Sequence, residues 1–340
     1  MNDQSLVSIV IPNYNGRHLL DDCLSSLLNQ KYPKIEIILV DNGSSDNSVS
    51  YVKNNFPQVK ILPLGHNFGF AAGCNAGIRV ASGKYLLVIN NDTWSSPDLI
   101  DELVNTMESN LQIGMVAPKI LNFFNRKEID SIGVGIFFDG TSKGNLRFKI
   151  DNGSFDISHE ILCPSGCAAF YKMEMFNDIG LFDEDFFAYC EDTDLGLRGQ
   201  LAGWKGYYNP KAIVYHKYSG TAKPFSDKKV YCVERNRIWL LFKNFPFFLI
   251  FLSPFFTFFR YSIGFITAFK SEGSVSNYIK NYSAKRLVFT IIKSHIDALL
   301  SLKNTLEKRN IINRKKRIRT SVFLRLLWKN KINLETIMLQ

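Results

Sequence analysis

YLLVINNDTW, residues 85–94, runs apolar for five positions and then stops on two amides and a carboxylate, Asn90, Asn91 and Asp92. A strand covered on both faces reads as such a continuous apolar run, and a polar stop marks where the chain leaves the core. The pattern recurs upstream. SLVSIVIP (5–12) breaks into PNYNG, and IEIILV (35–40) breaks into DNGSSD (41–46). Between these runs lie segments with apolar residues at helical spacing, HLLDDCLSSLLNQ (18–30), SSDNSVSYVKNN (44–55) and FAAGCNAGIRVA (70–81), and one further short strand, VKILPL (59–64). Strands alternating with helices predict a mainly parallel sheet with helices on both faces. Ligands of such sheets bind in the crevice outside the carboxyl ends of the strands. Asn, Asp and Gly are ordinary turn residues, but three such clusters at one sheet edge point to a site.

Composition narrows the choices. The chain has 340 residues, 46% apolar and 14% aromatic, enough to bury a large core and to form one domain plus a second region. Its opening, MNDQSLVSIVIPNYN, has neither the basic nor the apolar stretch of a secretory leader, so the amino-terminal part is expected in the cytosol. The six cysteines (23, 74, 163, 167, 190, 232) are scattered, and CPSGC has the spacing of neither a zinc clip nor a redox CxxC, so they are expected reduced and buried. Charge divides the chain. Residues 1–225 hold 19 Lys and Arg against 25 Asp and Glu, a net −6, whereas 226–340 hold 22 against 6, a net +16.

Two common nucleotide-binding patterns are missing. After the first strand stands PNYNGRH (12–18) in place of GxGxxG, and no GxxxxGK[ST] phosphate loop occurs. The pattern that remains is a nucleotide held by Asp41 after the second strand, with the NND cluster placed for a divalent cation bridging phosphates.

Five stretches in order, VSIVIPNYNG (7–16), VDNGSSDNS (40–48), NFGFAAGCNAGI (67–78), INND (89–92) and SGCAAF through IVYH (165–216), make the chain resemble the inverting glycosyltransferases of family 2, and among them the rhamnosyltransferase-like members. The resemblance covers about residues 6–240 and implies a GT-A catalytic domain, 1–225, followed by a basic helical region, 226–340. It implies donor-nucleotide contacts from Pro12, Tyr14, Asn15, Asp41 and Gly43, and donor approach along Asn67, Gly69 and Asn75. A carboxylate at position 41 suits the imide N–H of uracil or thymine. The small residues of 67–78 also suit a tightly packed helix. Asn90, Asn91 and Asp92 match the family's DxD-type element, with Asn90 where the first carboxylate usually stands. The implied cofactor is Mg²⁺ or Mn²⁺ on Asp92, with His216, 24 positions after Asp192, completing the site. The other reading of His216 is a hydrogen-bonded histidine at a strand end.

Glu191 and Asp192 in FAYCEDTDLGLR (187–198) match the family's acidic pair, which implies Asp192 as general base toward an acceptor hydroxyl. Asp194 and Arg198, four apart, read as a supporting ion pair. Gly166 and Trp204 are candidate acceptor-side residues.

The tail reads differently. Residues 245–269 carry a single charge, Arg260, in 25 positions, enough to span a bilayer. Pro246, Pro254 and the central Arg260 favour a broken pair of helices lying in the membrane interface, with a span or an internal helical core as the other readings. RKKRIR (314–319) suits anionic headgroups. A basic run alone also suits nucleic acid, but the neighbouring aromatic stretch turns the expectation to a membrane. The expected partners are a dTDP- or UDP-sugar donor and a polyprenyl-diphosphate-linked saccharide at the cytoplasmic face, as in O-antigen or capsule assembly, with Arg235 and Arg237 in VERNRIW (233–239) near the acceptor diphosphate. The donor expected first is dTDP-rhamnose, with a UDP-hexose as its rival. A sugar-phosphate nucleotidyltransferase would need a Gly-rich, basic loop after the first strand, which PNYNGRH is not. An inactive membrane scaffold is the reading outside enzymes.

Overall fold

The computed structural model describes residues 4–218, 226–269, 273–333 and 336–337. Two compact units are present, residues 1–134 with 144–222, and residues 135–143 with 223–340. The division expected at 225 falls on the stretch 219–225, outside the described residues, and the segment 135–143 joins the second unit.

In the first unit the runs read from the sequence become β1 (Val7–Asn13), α1 (Leu20–Leu28), β2 (Ile35–Asp41), α2 (Ser48–Asn55), β3 (Lys60–Pro63), α3 (Phe70–Arg79) and β4 (Tyr85–Ile89). They are followed by β5 (Thr93–Ser95), α4 (Leu99–Glu108), β6 (Ile113–Asn122) and β7 (Ile129–Ser131). A two-stranded ribbon comes next in the chain, β8 (Val134–Ile136) with β9 (Ser142–Gly144), most of it in the 135–143 segment of the second unit. The unit then continues through β10 (His159–Ile161), β11 (Ala168–Lys172), α5 (Met173–Ile179), α6 (Glu191–Leu201) and β12 (Lys205–His216).

The main path of the sheet is β10-β12-β6-β11-β4-β1-β2-β3. β1 pairs in parallel with β2 and β4, and β2 with β3, which is the parallel core the apolar runs predict. β11 enters antiparallel between β4 and β6, and β12 returns parallel to β6, so the whole sheet is mixed. α1 buries Leu20, Cys23, Leu24 and Leu27, one stripe at helical spacing, in the same core cluster as Ile9, Ile11 and Leu39. α3 lies close on the sheet because it is made of small residues. A Cβ on Gly77 would come within 2.4 Å of Val10 Cγ1 and 2.9 Å of Val40 Cγ2. All six cysteines are buried thiols outside any disulfide.

The second unit is helical: α7 (Asp227–Asn244), α8 (Phe247–Phe269), α9 (Gly273–Asn281), α10 (Ala284–Leu300), α11 (Leu302–Lys315) and α12 (Thr320–Lys329). α7 begins on Ser226, whose hydroxyl accepts from the Lys229 amide, and packs on α10 and α11. The expected broken pair of helices at 245–269 is one helix. Pro254 cannot donate to the Ile250 carbonyl four residues back, but the Ser253 hydroxyl does so instead, at 2.7 Å. Pro246 precedes the first turn, where a missing N–H costs nothing.

Arg260 is half-buried among acids. It donates to Asp139 at 2.8 Å and to both oxygens of Glu234 at 3.0 Å. Burial alone would raise the Glu234 carboxyl, but Arg260 and Arg237 hold it well below the usual carboxylate range. Arg237 is itself buried, and its three guanidinium nitrogens donate to Glu234, the Asp139 carbonyl and Thr257. The expected role of Arg237 toward an acceptor diphosphate is therefore corrected: Glu234 and Arg237, three apart on α7, share a buried face. Arg235 lies over the Trp239 ring, 4.1 Å from its centre, and donates to Asn236.

Candidate functional site

The carboxyl ends of β1, β2, β4, β6 and β12 lie along one edge of the first unit's sheet. Their side chains join across the strands. Asn13, at the end of β1, donates to Asp41 Oδ1 at 3.3 Å and accepts from Asn91 Nδ2 at 2.7 Å. Asp41 Oδ2 accepts from the Ser44 amide at 3.1 Å, so the carboxylate both shapes its own loop and closes the loop of β1. Asn15, at φ 51°, is held between the Ser44 hydroxyl and the Ser45 amide. Gly43 has φ 79°, and a Cβ there would stand 2.4 Å from His66 Cα. Tyr14 is exposed and Pro12 half-buried at the same edge.

Three expected donor contacts have structural work of their own. Asn67 accepts from the Gly69 amide at 2.9 Å, and Gly69, at φ 95°, lies where a Cβ would meet the Phe187 carbonyl at 2.5 Å. Asn75 is buried, and its amide donates to the Phe182 carbonyl and to Glu184 while accepting from the Phe182 amide. The side chain of Asn75 thus braces the 182–184 turn, a correction to its placement on the donor. Asn90 is half-buried, and its backbone is tied to Cys167 and Thr93.

Asp92 and His216 do come together. His216 ends β12, pairs with Thr93, and has Nε2 3.2 Å from Asp92 Oδ1. Its Nδ1 is 2.8 Å from Asp130 Oδ2. Asp130, His216 and Cys167 form a buried group whose ligand atoms lie within 4.8 Å of one another. Burial alone would lower the His216 pKa, but Cys167, Asp130 and Asp92 outweigh it and hold the ring well above its ordinary value. Burial also raises the Asp130 carboxyl, and His216 with Arg147 reverses that and lowers it. Asp130 and Cys167 carry no motif and were not singled out as ligands in the sequence. Sheet pairing places them.

These donors fit a hard divalent cation. Two cis ligands of an octahedral ion with bonds near 2.1 Å stand about 3 Å apart, close to the 3.2 Å between His216 Nε2 and Asp92 Oδ1. A ligating imidazole must give up that proton. Asp92 and His216 Nε2 are the pair that would take the ion, while Asp130 sits on Nδ1 and burial raises the Cys167 thiol.

The acidic pair opens α6. Phe187, Tyr189 and Cys190 have φ of 63°, 72° and 68°, a strained approach that sets Glu191 and Asp192 at the helix start. Asp192 Oδ2 accepts from the Gly166 amide at 2.7 Å, and Oδ1 from the Thr193 amide at 2.6 Å. Burial raises its carboxyl in spite of these donors. Glu191 is buried, and burial, reinforced by Asp192, pushes it up to about 8. Asp194 and Arg198 form the expected pair at 2.9 Å, and Arg198 also donates to carbonyls at 179–181. Trp204 is corrected. It precedes β12, at the opposite end of that strand from His216, where its indole donates to Asp178.

A mixed sheet whose strand ends gather Asp41, the NND cluster and a carboxylate–histidine pair has the architecture of the GT-A class. Residues 8–180 match the family model described as glycosyl transferase family 2, and the chain belongs to that family. An uncharacterized glycosyltransferase of Rickettsia prowazekii is 28% identical over 193 residues, 57% of this chain and 58% of its own. The chain thus spans a little over half the length of that relative. The N-acetylglucosaminyl-diphospho-decaprenol L-rhamnosyltransferase of Mycobacterium tuberculosis is 25% identical over 240 residues, 64% of this chain and 78% of its own. A mannosyltransferase from Pyrobaculum calidifontis, solved with GDP-Man and Mn²⁺, superposes with a TM-score of 0.51 at 14% identity, over 97% of this chain and 89% of that one.

Proposed function

We propose that this chain is an inverting, divalent-metal-dependent glycosyltransferase that moves L-rhamnose from dTDP-rhamnose to a polyprenyl-diphosphate-linked saccharide in surface-polysaccharide assembly. The observation that carries it is the Asp92–His216 pair, 3.2 Å apart, on the sheet edge that also carries Asn13 and Asp41. Bound there, Mg²⁺ or Mn²⁺ would neutralise charge growing on the leaving diphosphate. Asp92 and His216 Nε2 would hold the ion, while Asp41, Asn15 and Gly43 shape the nucleoside end. Asp192, whose two oxygens accept from the Gly166 and Thr193 amides, takes the proton from the acceptor hydroxyl as that oxygen attacks the anomeric carbon from the face opposite the diphosphate. A single displacement inverts the configuration. The mycobacterial relative's lipid-linked acceptor supports the acceptor class.

The second unit suits a membrane surface, and the reaction is read as taking place at the cytoplasmic face. α8 is long and apolar enough to cross a bilayer by length and composition. A span would carry Arg260 and its acids into hydrocarbon, a large cost. The opposite side of α8 exposes Phe251 (84%), Phe255 and Phe258 (70%), and α10 exposes Phe289, Ile292 and Ile296 beside Lys285 and Lys293. With a net charge of +16 in residues 226–340, these faces suit anionic lipid, with the helices lying in the interface.

The test is binding and turnover of a panel of nucleotide sugars with Mg²⁺, Mn²⁺ or EDTA, for wild type and Asp192→Asn. One donor turning over only with metal, and Asp192→Asn binding it while losing transfer about 10²- to 10⁴-fold, is the expected result. A UDP-hexose as sole donor corrects the sugar. No binding of any nucleotide sugar refutes the enzyme and leaves a membrane scaffold.

A further inference from the structure

We infer that Asp130, gripped by Arg147, is the positioning residue that aims His216 at the metal. The inference rests on the proposed metal site and adds a residue that contacts neither donor nor ion. The sheet itself brings Asp130 there. β7, which holds Asp130, pairs antiparallel with β6 through Ile120–Ser131 and Leu121–Ile129, and β6 pairs in parallel with β12 up to Asn122–His216. Two rungs of backbone hydrogen bonds thus fix the distance from Asp130 to His216.

The side chains then select one orientation of the ring. Asp130 Oδ2 lies 2.8 Å from His216 Nδ1. A carboxylate can only accept, so Nδ1 keeps its proton toward Asp130, and Nε2, turned to Asp92, is the nitrogen that would give up its proton to an ion. The other oxygen, Oδ1, is 2.8 Å from Arg147 Nη2, and Arg147 Nε donates to the Asp130 carbonyl at 3.2 Å. Arg147 thus holds one carboxylate oxygen and His216 meets the other, so both oxygens are engaged. Arg147 is held in its turn. The chain around it is tied to β7, with the Ile129 amide on the Lys149 carbonyl at 2.8 Å and the Phe148 amide on the Ile129 carbonyl at 2.9 Å. Its guanidinium also lies 4.7 Å from the centre of the Tyr218 ring. Both Asp130 and His216 are buried, so water competes poorly for either.

Without Asp130 the ring has no preferred tautomer, and the protein loses the alignment that a histidine ligand takes from its outer partner. Loss of such a partner weakens metal binding about 10- to 100-fold. The experiment titrates the full-length protein with Mn²⁺ alone, read by electron paramagnetic resonance, for wild type, His216→Ala, Asp130→Asn and Arg147→Gln, with the melting temperature of each recorded. Arg147→Gln lies nearer the surface and guards against a folding defect in Asp130→Asn. The expected result is loss of the site in His216→Ala, an Mn²⁺ Kd raised about 10- to 100-fold in Asp130→Asn, and a smaller rise in Arg147→Gln, with kcat of both recovering at saturating Mn²⁺. If His216→Ala loses the site while Asp130→Asn and Arg147→Gln bind as wild type does, the inference fails and the metal reading stands. Equal binding by wild type and His216→Ala overturns both. A lowered melting temperature with unchanged Kd makes Asp130 a purely structural residue and also overturns the inference.

Discussion

Replacing Glu191 with Gln should stabilise the protein at working pH while lowering its turnover. Glu191 is 5% exposed, and its Oε2 has no hydrogen-bond partner among the described residues. Burial first, and Asp192 next to it, push the carboxyl from 4.5 up to about 8. Below about pH 4.5 the folded and unfolded states both hold the proton, so the group adds no pH dependence. Between 4.5 and about 8 the unfolded chain ionises while the folded one stays neutral. The unfolded state then binds fewer protons, and stability falls as pH rises. At about 1.4 kcal/mol per pH unit, the loss across that window is on the order of 5 kcal/mol. Gln has the same shape and no charge to bury. Urea unfolding of both proteins at pH 4.5, 6, 7 and 8 should therefore give nearly equal stabilities at the acid end, and a gap of a few kcal/mol in favour of Glu191→Gln at pH 8. A gap that stays flat with pH, or one that favours wild type at pH 8, would refute the buried-carboxyl argument. Turnover should fall in the same variant, because perturbed carboxyls of this kind gather where a site uses them.

Gly43→Ala forces a Cβ to 2.4 Å from His66 Cα at φ 79°; nucleotide affinity should drop and stability fall by about 1–3 kcal/mol, read by calorimetric binding and melting. Arg260→Met leaves Glu234 and Asp139 short of a buried partner, and unfolding measurements should register a loss of about 3–5 kcal/mol. A neutral result there would mean that the acids take up their protons at no cost.

The parallel core was legible because β1, β2 and β4 are unbroken apolar runs, and a strand covered on both faces has to be one. The three polar stops were legible for the complementary reason, since a buried strand has no use for Asn13, Asp41 or Asp92 except at its end. β7 and its Asp130 were not. Their place depends on which strands pair with β6, and no spacing in the sequence encodes that. Asn75 reads like a ligand contact because it sits among small residues in a glycine-rich stretch, yet those residues let a helix close onto the sheet and its amide serves the turn at 182–184. Arg237 has the chemistry of a phosphate contact until Glu234, one turn earlier, and Asp139, far away in sequence, claim it. Pro254 signals a helix break, and a single hydroxyl at Ser253 removes the reason for one.

The match to the family model ends at residue 180, eleven residues before Glu191 and well short of His216. Strand β12, which those later residues complete, lies inside the sheet between β6 and β10. A fragment cut where the family-model match ends would leave β6 as an open edge, offering unpaired backbone to any passing chain. It would also lack Asp192 and half of the Asp92–His216 pair. The smallest piece able to assemble this centre is thus set by the closing of a sheet, and anyone trimming the gene for expression should count strands before counting matches.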